Sequence, residues 1–172
     1  MKPNPLRFIV VPCSGIGKPF GSVSREAAYE LCEDLRPDAT RLVALSKLVL
    51  GDSAARELVA DNPTITIDGC KYLCAAKMVK QSGGTVAHEV AVLDVYRRHK
   101  HLKPEGIAEL NASGRELARV LAQEVAATLD GFRQPISTLQ VGTCSTASLE
   151  PWPGNGMPRN VSAPDSQGGR HA

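Results

Sequence analysis

Short aliphatic runs alternate along this chain with stretches whose apolar residues recur every three or four positions. Arg7–Pro12 is β-branched and apolar, which predicts a buried strand; Arg41–Leu45 and Pro63–Ile67 predict a second and a third. In Thr85–Val92 the pattern alternates, with Val86, His88, Val90 and Val92 on one face, and predicts a fourth. Between the first two strands, Ala28, Leu31, Cys32 and Leu35 fall at helical spacing, so a helix is predicted over Arg25–Leu35 with Ser24 as its N-cap. Further helices are predicted over Ser53–Ala60, over Cys70–Gln81 where Gly83-Gly84 ends it, and near Leu93–His99. Ser113-Gly114-Arg115-Glu116 is a capping box that opens a long helix to about Leu129. Its stripe of Leu117, Val120, Leu121 and Val125 is predicted to lie on the sheet.

Strands alternating with helices imply an α/β three-layer domain, built on a mostly parallel sheet of about four strands with right-handed crossovers. A flavodoxin-like order, 2-1-3-4, sets strands one and three side by side, about 4.8 Å apart. Cys13 and Cys70 each follow the carboxyl end of one of these two strands. In open sheets of this kind ligands bind at that end, where the strand order switches. The domain is expected to span residues 1–135. From Gln134 the pattern fades, residues 136–172 read as an irregular tail, and Pro151–Ala172 has the Pro, Gly, Ser and Asn content of a disordered segment.

Composition narrows the function classes. Aromatic residues make up 4% of the 172, so the core is aliphatic and platforms for base stacking are not expected. A net charge of +2 with mixed signs is too weak for a nucleic-acid footprint. The apolar run Phe8-Ile9-Val10-Val11 is shorter than a signal-peptide core or a membrane span. The expectation is a cytoplasmic protein with neither nucleic acid nor membrane as partner. Five cysteines in such a compartment point to metal binding or thiol chemistry rather than structural disulfides.

Cys70 and Cys74 stand one turn apart in the predicted helix, so they share a face at a spacing of about 6 Å. Two thiolates so placed can converge on one ion, at Zn–S distances of about 2.3 Å, and a helix N-terminus favours thiolate over thiol. With Cys13 at the neighbouring strand end, the three form a candidate metal or reactive-thiol site. Cys32 reads first as a core residue and second as a fourth ligand. His88 reads as a core or surface histidine ahead of a ligand, and water or a substrate could take the fourth place, as in catalytic zinc sites. Cys144 in the tail reads as a bystander, and His99 and His101, inside Arg97-Arg98-His99-Lys100-His101, as part of a solvated basic patch. Asp68 reads as a turn or capping residue ahead of a base. Gly15-Ile16-Gly17-Lys18, with Ser22 and Ser24, could cradle an anion but lacks the phosphate-loop and dinucleotide spacings, so a tight turn is the favoured reading. Lys47 and Lys71 could add positive charge near the thiols.

Cys13-Ser14-Gly15, Ile67-Asp68-Gly69-Cys70 and Cys74-Ala75 resemble the motifs of the DGC-domain family of zinc-binding proteins. The similarity covers roughly residues 7–85 and continues through the long helix in the nearer members. It implies zinc on the motif cysteines, without a settled biochemical role. The wider family has a cysteine just after the second strand, where this chain has Ala44-Leu45-Ser46, and often another in the first loop, where this chain has Ile16. Only Cys13, Cys70 and Cys74 carry over. Zinc suits thiolates, whereas an iron–sulfur cluster usually needs tighter cysteine spacings. The sequence therefore supports a zinc-binding protein in a binding, carrier or regulatory role, with the metal ion and an unspecified protein or small molecule as partners. The alternative is an enzyme, using an open zinc position or acting as a thiol oxidoreductase through Cys70 or Cys13. A helical i,i+4 pair meets disulfide geometry only with strain.

Overall fold

A computed structural model describes residues 7–15 and 17–133. Its four strands are β1 (Phe8–Pro12), β2 (Thr40–Leu42), β3 (Thr64–Asp68) and β4 (Val86–Ala91). They form one all-parallel sheet in the order β2-β1-β3-β4, the 2-1-3-4 order expected from the alternation. The helices are α1 (Pro19–Tyr29), α2 (Leu45–Leu50), α3 (Ser53–Asp61), α4 (Cys74–Gln81), α5 (Val92–Arg98) and α6 (Ala112–Arg133). A π-helical segment, Glu30–Leu35, continues α1. The expected tail over residues 136–172, Cys144 included, lies outside the described residues.

The three layers follow from strand alternation. Phe8 and Val10 of β1, with Ile65 and Ile67 of β3, pack against α1, α5 and α6. Ile9 and Val11 point the other way and pack with Leu48, Val59 and Val79 of α2, α3 and α4. All ten positions of β1 and β3 are buried, as central parallel strands require. The predicted stripe of α6 does face the sheet: Leu117, Leu121 and Val125 are buried, and Val120 is partly so.

Several boundaries differ from the expectation, each for a physical reason. The first helix starts at Pro19, six residues before Arg25, with proline in its first turn where a missing N–H does no harm. Ser24 is no N-cap: it lies inside α1, fully buried, donating to the Ile67 carbonyl and accepting from the Cys13 N–H at 3.1 Å. β2 stops at Leu42, and Leu45, expected on that strand, opens α2. Val92 leaves β4 to begin α5. Asn111 rather than the Ser113 box caps α6, its Oδ1 accepting from the Gly114 N–H at 2.7 Å and its carbonyl from the Arg115 N–H at 3.0 Å. The helix expected from Cys70 begins at Cys74, and Leu73 before it sits at φ +53°, a left-handed conformation that no helix continues through.

The loop after β1 is locked to α1 by glycine. A β-carbon on Gly21 would lie 1.9 Å from the Gly15 Cα, so the two backbones touch where no side chain could fit. Gly21→Ala is therefore expected to destabilise the fold by about 1–3 kcal/mol or more, since the backbones must separate. Gly131→Ala, in open space on α6, should instead gain about 0.5–1 kcal/mol from helix propensity. Denaturant titration of the two variants checks the opposite signs.

Candidate functional site

The register of the central strands sets the site. Pro12 pairs with Ile67, and the Cys13 N–H donates to the Ile67 carbonyl at 2.9 Å, so the chain leaves β1 beside the end of β3. Asp68, the last residue of β3, is 1% exposed, and its carboxylate accepts from the Ala75 N–H at 2.8 Å and the Ala76 N–H at 3.1 Å. Both donors belong to the first turn of α4, which has no partner for them within the helix. Asp68 thus caps a helix that begins six residues further on. The capping role expected of it holds, although it acts across the intervening loop rather than from the residue before the helix.

That cap places the thiols. Cys74 is the first residue of α4, and Cys70 lies in the turn before it, where its carbonyl accepts from the Leu73 N–H at 3.3 Å. The two cysteines are therefore not a pair on one helix face, as their spacing suggested. Both nevertheless line a single cavity of about 250 Å³ with Cys13, at the carboxyl ends of β1 and β3. Lys18, Phe20 and Tyr72 share its wall. Cys13 is buried, Cys70 half-buried and Cys74 exposed. Gly69 closes the floor against α1, since a β-carbon on it would lie 3.0 Å from the Gly21 nitrogen.

Electrostatics at the cavity run against the expectation of a thiolate held by a helix N-terminus. Desolvation first, then the negative charges of Cys13, Asp68 and Cys70, push the Cys74 thiol above its usual range, while Lys77 pulls it back. The amino end of α4 already serves the Asp68 carboxylate, which leaves less of its field for sulfur. The Asp68 carboxyl is itself held above the usual carboxylate range, by burial before anything else, with the two N–H donors opposing.

The structure brings Cys13, Cys70 and Cys74 together and leaves the other candidates elsewhere. Cys32 sits in the π-helical segment, packed against the core and hydrogen-bonded to Thr40 at the amino end of β2. Phe8 pairs with Thr40, so β1 separates Cys32 from the cavity by its own length, about 13 Å at 3.3 Å per residue. Burial foremost raises the Cys32 thiol as well. His88 lines a separate cavity with Glu89, Arg98 and Glu124, and His99 approaches Glu124 at 3.9 Å. Lys47 and Lys71 line other hollows; Lys18 is the lysine at this one. Phe20, Tyr72 and Gly21 escaped the sequence reading, and only the dense glycines around Cys13 and Cys70 hinted at such close packing.

As to a metal, the donor chemistry suits a thiophilic ion, because three thiols from two adjacent strand ends share one cavity. Their side chains do not yet converge: no group of three or more His, Cys, Asp or Glu among the described residues stands where it could hold an ion.

The sequence matches the DGC domain over residues 9–113, a span that holds all four described cysteines and ends just inside α6. The chain belongs to the DGC-domain family. That membership supports a metal-binding protein and nothing finer. No curated protein and no solved structure matches the chain. Among the described residues, no helix is long and apolar enough to cross a membrane.

The raised carboxyl of Asp68 gives a pH-dependent prediction. A carboxyl whose pKa is higher in the folded than in the unfolded chain stabilises most below its unfolded value, about 3.9, and loses that contribution as pH rises through the folded one. Asp68→Asn removes the titration and turns an amide N–H₂ toward one of the two backbone donors. It should destabilise by about 1–3 kcal/mol, the cost of a buried donor left unpaired. The gap between wild type and variant should be larger near pH 4 than at pH 7. Denaturant curves at the two values check this; a gap that widens with pH would reverse the assigned direction.

Proposed function

We propose that this DGC-domain protein is a cytoplasmic zinc-binding module, with Cys13, Cys70 and Cys74 as its protein ligands and a binding, carrier or regulatory role. The observation that carries the reading is the shared cavity: thiols from the ends of two neighbouring strands line one hollow at the switch point of the sheet. Zinc is favoured because thiolates select soft or borderline cations. Such an ion would stabilise three thiolates that otherwise repel one another, and would release their protons on binding. Cys32 is not part of the proposed set, because it stands toward the amino end of the sheet. Three protein thiolates leave a fourth position for water or an incoming ligand, the arrangement that open zinc sites share.

The protein purified under reducing conditions is expected to carry about one zinc per chain. Cys13→Ser, Cys70→Ser and Cys74→Ser should each lower metal affinity sharply. Cys32→Ala should keep its metal and lose only on the order of 1 kcal/mol of stability, as small core truncations do. Elemental analysis with thiol alkylation checks both. No stoichiometric metal, with all three cavity thiols freely alkylated, would sink the reading; equal metal loss in Cys32→Ala and Cys74→Ala would make Cys32 a ligand.

A further inference from the structure

A second cavity, of about 200 Å³, opens on the other side of Cys13 between the carboxyl ends of β1 and β2. Cys13 and Ser14 line both hollows; the wall of the second is mostly apolar, from Leu42, Ala44 and Leu45, and Arg25, Tyr29 and Ser46 add its other polar groups. We propose that this cavity is an oxyanion site, in which Arg25 anchors the carboxylate or phosphate group of a small ligand beside the thiol cavity.

The argument begins with a cation that lacks a counter-ion. Arg25 is half-buried, and among the described residues it forms no ion pair with any carboxylate, unlike Arg36, Arg97, Arg98, Arg115 and Arg119. No acidic residue lines the cavity. A guanidinium partly shielded from water and without a counter-ion can still take an anion, and an oxyanion is the group whose geometry its fork matches.

The fork is also held in place before any ligand arrives. One terminal nitrogen of Arg25 donates to the Ser14 carbonyl, and the other donates to the Ser22 hydroxyl at 3.0 Å. Ser22 in turn donates to the Ile107 carbonyl at 2.6 Å, which fixes it. These bonds use two of the five guanidinium N–H donors, and the other three have no partner among the described residues. Gly15 makes the arrangement possible: a β-carbon there would lie 2.4 Å from Arg25 Nη1. The hydroxyls of Tyr29 and Ser46 can add donors to an oxyanion's remaining lone pairs. The volume lies below the roughly 300–1,000 Å³ of drug-sized pockets, so the ligand is small.

The test uses the reduced, chelator-treated full chain, titrated with inorganic phosphate and separately with malonate at constant ionic strength. NMR follows the backbone amides of Ser14 and Ser46. At least one probe should shift both amides saturably, with a dissociation constant in the millimolar range or tighter. The stronger probe tells whether phosphate or carboxylate is preferred. Arg25→Gln should weaken binding by about tenfold or more, which corresponds to about 1.4 kcal/mol, whereas Arg97→Gln, on α5 after the edge strand β4 and lining a different hollow, should not. Because Arg25 also braces the loop, Ser46→Phe serves as a second variant: it fills the mouth from an exposed position, keeps every Arg25 hydrogen bond and should abolish the shifts. Neither probe saturating, or Arg25→Gln and Ser46→Phe both binding as wild type, would overturn the proposal. With no metal in the sample, a failure of the zinc reading leaves this outcome untouched.

Discussion

The buried carboxylate of Asp68 is the joint on which the site depends. It ends the central strand β3 and satisfies two backbone donors of α4, so one side chain fixes where that helix begins relative to the sheet. The chain between them must then cross from strand to helix in a fixed span, and Cys70 and Tyr72 are carried into the cavity wall by that crossing. Leu73 accepts a left-handed backbone to complete it. Such a conformation is unfavourable for a residue with a β-carbon, on the order of 1 kcal/mol, and persists only where its surroundings over-determine it. A carboxylate locked to two helix donors on one side and a strand on the other supplies that determination.

A second lock works on β1. The serine buried in α1 bridges Cys13 and Ile67, joining helix, first strand and third strand at one point. Around it Gly15, Gly21 and Gly69 bring three backbone segments into contact. The first lock contains no residue proposed to hold metal, and the second engages Cys13 through its backbone N–H, not its thiol. Both nonetheless determine where Cys13, Cys70 and Cys74 stand, so the thiols are positioned by a frame that does not itself need an ion.

Much of this frame was legible in the sequence, and the parts that were not share a cause. The strand runs, their order and the gathering of Cys13 with Cys70 and Cys74 follow from hydrophobic period and connection rules, which are local signals plus topology. The core reading of Cys32 came from its helical spacing with Ala28 and Leu31, and the packing agrees. The turn at Cys70–Leu73 and the cap of α4 could not be read, because both follow from the Asp68 carboxylate reaching past the intervening loop to α4. Ser24 looked like an N-cap because serine usually caps locally; here its hydroxyl is claimed by a strand 43 residues away. Asp68-Gly69 looked like a turn leading straight into a helix, since nothing local shows a carboxylate reaching seven and eight residues ahead.

The raised Cys74 thiol gives the cavity a direction of action. Desolvation first, and then negative charge on Cys13, Asp68 and Cys70, hold a proton on Cys74, so the metal-free cavity resists becoming a trio of thiolates. A cation reverses that balance, because each thiolate that disfavours its neighbours then favours the ion. Occupancy would thus be linked to proton release and would rise with pH, as for thiolate metal sites generally. An anion held by Arg25 would add negative charge on the far side of Cys13. The two hollows meet at Cys13, the residue whose backbone joins β1 to both β3 and α1.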